Sequence, residues 1–76
     1  MEKIINKFNK FYQENPGSAT LGLISNRDVI TKFYTNLYNI DRLEVALLEE
    51  GTIDPDITVE FIKELKNLLL IEAWEK

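Results

Sequence analysis

The hydrophobic positions of this chain recur at spacings of three and four residues, the period of an α-helix, and never alternate for long as a strand would. Met1, Ile4, Ile5, Phe8, Phe11 and Tyr12 share one narrow face with lysines and asparagines opposite, which predicts a first helix over 2–14. Asn15-Pro16-Gly17 ends it, since proline cannot continue a helix and glycine tolerates the turn. The connector 18–24 follows, and its Leu21, Leu23 and Ile24 are expected to tuck under the bundle.

Two helix starts are then written in nearly the same way. In Ile24-Ser25-Asn26-Arg27-Asp28-Val29 the serine caps free amides, Asp28 reaches back, and Ile24 packs on Val29. Ile40-Asp41-Arg42-Leu43-Glu44-Val45 repeats the logic with Asp41 as cap and Glu44 as its acidic partner. These signals predict helices over 26–38 and 41–50 with a break near Asn39; one long helix competes, because Phe33, Leu37, Ile40, Leu47 and Leu48 nearly share a face. Gly51 closes this region, Asp54-Pro55 opens the next, and a last helix is expected over 55–75. The fold class is therefore all-α: a small single-domain bundle of three to four helices spanning 1–76.

The last helix carries more apolar surface than one buried side can use. Phe61, Ile62, Leu65, Leu68 and Leu69 form its core stripe, with Ala73 at the edge. Leu70 and Trp74 lie nearly opposite with Val59, and Ile71 sits on the flank. Either another part of the chain covers them or they await a partner, for which tryptophan is a favoured anchor. Tyr34 and Tyr38, one turn apart, are a second candidate contact, although half-buried tyrosines are commonplace.

Composition narrows the chemistry. The 76 residues include no cysteine and no histidine, which removes disulfides, thiolate and imidazole metal ligands, cysteine nucleophiles and histidine bases together. That absence, and a first dozen residues interrupted by lysines, point to the cytoplasm. The longest purely apolar run, Leu68 to Ile71, is far short of a membrane span. Gly17-Ser-Ala-Thr-Leu-Gly22 has the glycine spacing of a phosphate loop but lacks the Lys and Ser or Thr that must follow it. Asp54-x-Asp56-x-Thr58 begins like a calcium loop, yet Val59 and Leu65 stand where glycine and glutamate are needed. No cofactor, no metal ion and no catalytic residue is therefore expected, and a core this small leaves little room for a substrate pocket.

The net charge of −4 is unevenly spread: residues 1–40 sum to +2 and residues 41–60 to −6. The segment 41–50 would be repelled by phosphates, so its resemblance to a helix-turn-helix second element does not imply nucleic-acid binding. The acids instead favour a basic protein partner. The expected partner-binding residues are Val59, Leu70, Ile71 and Trp74 with Glu49, Glu50, Asp54, Asp56 and Glu60. The functional expectation is a small non-catalytic protein–protein interaction module. A phage- or mobile-element-encoded inhibitor covering the basic surface of a host nucleic-acid-handling protein fits this shape, and the abundance of Ile, Asn and Lys fits such a source. Two alternatives stand beside it: a regulatory or structural homo-oligomer, most simply a dimer, associating through the last helix, and a peripheral membrane factor using Lys3, Lys7 and Lys10 of the first.

Overall fold

A computed structural model describes residues 2–74 and shows an all-α fold. Its helices are α1 (Glu2–Glu14), α2 (Ala19–Ile24), α3 (Arg27–Phe33), α4 (Leu37–Glu50) and α5 (Pro55–Trp74). Met1 and Glu75, assigned to the first and last helices by the sequence pattern, lie outside the described residues.

α4 and α5 form the body of the molecule. Four residues join them, and Asp41 meets Lys66, so they run antiparallel as a helical hairpin. α1 packs on α5 and α2 on α4, which covers one side of the hairpin, while α3 packs on α1. Ile4, Ile5, Phe8 and Phe11 of α1 are all buried, so its apolar face belongs to the core and is not left for a membrane surface. They meet Leu21, Ile30, the Ile40/Leu43/Leu47 stripe of α4 and the Phe61/Ile62/Leu65 stripe of α5 in one cluster, with Leu68 and Leu69 packed at its margin. The aromatic rings order its centre: Phe11 stacks on Phe61 at 3.8 Å between centroids, and Phe8 meets Phe61 edge-on at 5.6 Å and Tyr34 at 5.3 Å. Tyr34 is thus a half-buried core tyrosine. Among the described residues no helix is long and apolar enough to cross a membrane.

The structure corrects three local expectations. The 18–24 connector contains a helical turn and a half, α2, capped at its start by Ser18, whose Oγ accepts from the Leu21 amide at 3.2 Å. Leu21 is buried as expected, but Leu23 is exposed rather than tucked under. Because Ser25 is used to end α2, the cap of α3 passes to Asn26, whose Oδ1 accepts from the Asp28 and Val29 amides. The break between the middle helices falls at 34–36, not near Asn39. Asn36 caps α4 by accepting from the Asn39 amide at 2.8 Å, and Asn39 Nδ2 turns back to donate to the Phe33 carbonyl at 2.6 Å. Both Asn36 and Asp41 carry cap chemistry; starting at Leu37 seats Ile40 in the buried row with Leu43 and Leu47, and burial decides between them. Asp41 is left on the surface of α4.

At the other end of α4, Gly51 adopts a left-handed φ of 72° and its amide closes on the Leu47 carbonyl. An added Cβ would meet nothing within 4 Å there. Gly51→Ala is expected to cost about 1 kcal/mol from the backbone alone, measurable as a lower denaturation midpoint with an unchanged slope.

Candidate functional site

The residues singled out by sequence do not form one patch. α5 is 20 residues long, so at about 1.5 Å per residue its acidic start and its tryptophan lie at opposite ends of a molecule 36 Å in its longest dimension.

Glu50 proves to be a structural group. Its carboxylate accepts from Ser18 Oγ at 2.6 Å, from the Thr20 amide at 3.0 Å and from Thr20 Oγ1 at 3.2 Å. It therefore caps α2 from a neighbouring helix, a tertiary contact with no local sequence signature. The Ser18 hydroxyl first, and the Thr20 amide after it, hold its carboxyl below the ordinary glutamate value. A depressed folded-state pKa contributes stability above the unfolded value and loses it as pH falls through the folded one. Glu50→Gln should thus destabilise the protein by about 1–2 kcal/mol at neutral pH, and its denaturation curve should converge with the parent's as pH falls below the ordinary glutamate range.

The other acids divide between faces. Glu49 flanks a shallow depression on α4 with Arg42 and Val45. Arg42 Nη1 donates to Tyr38 Oη at 3.2 Å, with its guanidinium over the exposed Tyr38 ring. Asp54 opens α5, its Oδ1 accepting from the Asp56 amide at 2.9 Å, while Asp56 is exposed in the first turn. Among the described residues no three acidic side chains converge as a metal site requires.

Glu60 belongs to something that the sequence did not reveal. Between α1 and α5 runs a groove of about 200 Å³ lined by Phe11, Ile57 and Phe61 and by Lys7, Glu14, Glu60 and Glu64. The stacked Phe11 and Phe61 rings give an apolar floor, and half-exposed Ile57 adds an apolar wall. Lys7 pairs with Glu64, whereas Glu14 and Glu60 pair with no lysine or arginine among the described residues. An apolar trough edged by free carboxylates suits a lysine or arginine side chain, which lays its methylenes on apolar surface and keeps its charge at the rim. Glu14 was hidden from sequence reasoning because it lies 46 positions from Glu60 in a segment of net positive charge.

The remaining candidates share the outer side of the hairpin, away from α1 and α2. Val59, Lys63, Lys66 and Leu70 recur along α5 at i, i+4, i+7 and i+11, and Leu37, Asp41, Glu44 and Leu48 recur along α4 in the same way. The 2.5 Å pair of Asp41 with Lys66 fixes the register, bringing Leu37 level with Leu70 and Leu48 level with Val59. Asp41, first by hydrogen bond and also by charge, holds the Lys66 ammonium above its usual range, and the charge of Glu44 adds to this. All four apolar residues stand open, from 40% exposed at Leu48 to 52% at Leu70. Trp74, one turn past Leu70, continues the surface at 87% exposed, while Ile71 stands about 100° further round α5, on the flank that carries Glu60 and Glu64. Among the described residues nothing covers them.

A last depression, about 280 Å³ between α2 and the α3–α4 corner, is lined by Phe33, Tyr34 and Leu43 with Thr20, Asn39 and Arg42. Its Asn39 amide is engaged with Phe33 and its Arg42 with Tyr38. No protein family, curated protein or solved structure matches this chain.

Proposed function

We propose that this chain is a non-catalytic protein-binding module whose partner offers a basic segment, received in the acidic groove between α1 and α5. The observation that carries this reading is the pairing of an apolar trough with two carboxylates, Glu14 and Glu60, that lack a basic partner among the described residues. Such a groove supplies burial for a long basic side chain and charge for its head, and the exposed Asp54 and Asp56 at the same end of α5 extend the negative field that steers a basic partner toward it. A basic surface evolved to hold nucleic-acid phosphates is the kind of target an acidic module can occupy, so inhibition by coverage is the mode of action that follows. It acts in the cytoplasm.

The test is calorimetric titration of the full chain with a short peptide of alternating arginine and alanine, beside a glutamate–alanine control. Saturable binding of the arginine peptide that weakens as salt rises from about 0.05 to 0.3 M is expected, since the screening length shortens from roughly 14 Å to roughly 6 Å over that range. Equal binding of both peptides, or of neither, would sink the reading.

A further inference from the structure

The outer side of the α4–α5 hairpin is an apolar surface interrupted by charge, and the order of those charges selects its occupant. Along α4 the row reads Leu37, Asp41, Glu44, Leu48, so its two central positions are acidic. Along α5 it reads Leu70, Lys66, Lys63, Val59 in the matching levels, so its two central positions are basic. The face is therefore acidic along one helix, basic along the other, and apolar at both ends.

We propose that this face binds a second copy of the same chain, about a two-fold axis running parallel to the hairpin. That rotation sets each α4 against the α5 of the other copy. Asp41 and Glu44 then oppose the second copy's lysines, while the Leu37/Leu70 and Leu48/Val59 ends meet their own kind. The other face-to-face two-fold, perpendicular to the helices, would set α4 on α4 and bring four carboxylates together, which like-charge repulsion forbids. A partner of uniformly basic or acidic surface satisfies only one helix of the pair. The face also has the necessary extent: a body of 36 × 21 × 18 Å offers a broad side close to the roughly 800 Å² per partner that stable interfaces bury. Trp74, one turn beyond Leu70, enlarges the apolar contact at one end.

The dimer built this way is independent of the basic-segment reading. Glu60 and Ile57 lie on another side of α5 from the Lys63/Lys66 row, so both α1–α5 grooves remain open. An axis along the helices also places both acidic ends at the same pole.

The test is sedimentation equilibrium on the full chain and on two charge-reversed variants, Asp41→Lys with Glu44→Lys and Lys63→Glu with Lys66→Glu. The parent should have twice the 8.9 kDa chain mass at high micromolar concentration, with emission from its sole tryptophan shifting to the blue as dimer forms. Each variant alone should be a monomer, because its α4 and α5 rows carry one sign. Mixed in equal amounts the two should recover a dimer, since an all-acidic face meets an all-basic one. A monomeric parent, a dimer in either variant alone, or no recovery on mixing would overturn the proposal. If a charge variant loses its helical circular dichroism, Leu48→Ser with Leu70→Ser reads the same face: a folded monomer supports the dimer, and a persistent dimer refutes it.

Discussion

Phe61→Ala is expected to leave this protein largely unfolded at room temperature. Phe61 is fully buried where α1 crosses α5, and it is the ring that both Phe11 and Phe8 contact. Truncating a buried phenylalanine costs about 3–5 kcal/mol through lost transfer energy and the cavity left behind, and each aromatic pair adds roughly 0.5–1.5 kcal/mol beyond burial. A single core in a chain of this length supplies only about 3–5 kcal/mol of net stability, so the substitution removes nearly all of it. Helical circular dichroism should collapse, with recovery only on addition of a stabilising osmolyte. Phe61→Leu keeps most of the volume and should cost less than about 2 kcal/mol, giving a folded protein whose groove floor lacks the ring stack.

The second large effect is on binding and should leave the fold untouched. Reversing both Glu14 and Glu60 to lysine changes the groove rim by four charges while altering residues that are exposed and make no ion pair among the described residues. Stability should move by no more than about 0.5 kcal/mol. A bound basic side chain, by contrast, would lose its two carboxylate partners and face two like charges, a change of several kcal/mol. Affinity for the arginine peptide should fall by more than about a hundredfold, which corresponds to ~2.7 kcal/mol. Reversing Glu49, which lies on the α4 face beside Arg42, should change affinity only weakly. The contrast separates a defined groove from a diffuse acidic field.

Helical periodicity made the core legible in advance, because burial acts on every turn and leaves a repeating mark. The stripe Phe61, Ile62, Leu65 and the face Ile4, Ile5, Phe8, Phe11 are both found where the sequence pattern puts them. The start of α4 was less legible, since Asn36 and Asp41 both carry cap chemistry and the choice rests on which start buries Ile40. α2 was missed for a related reason: the Glu50 carboxylate that supports its first turn comes from a residue 30 positions away. The angular position of Trp74 and Leu70 opposite the core stripe was legible, but not whether another part of the chain covers them, which the structure answers by showing them exposed; the row facing them was not legible at all. Leu37, Asp41, Glu44 and Leu48 acquire meaning only once the Asp41–Lys66 pair sets the hairpin register. The Glu14–Glu60 groove is likewise a product of helix crossing.

The central claim, that the α1–α5 groove receives a basic segment, is most directly tested by following backbone amide resonances of the labelled full chain as the arginine–alanine peptide is added. Saturating shifts clustered at Phe11, Glu14, Ile57, Glu60, Phe61 and Glu64, with the Lys63/Lys66 row and Trp74 unmoved, are the predicted result. Shifts concentrated elsewhere, at Glu49 and Arg42 or along the outer face of the hairpin, would contradict it, as would a spectrum that does not change.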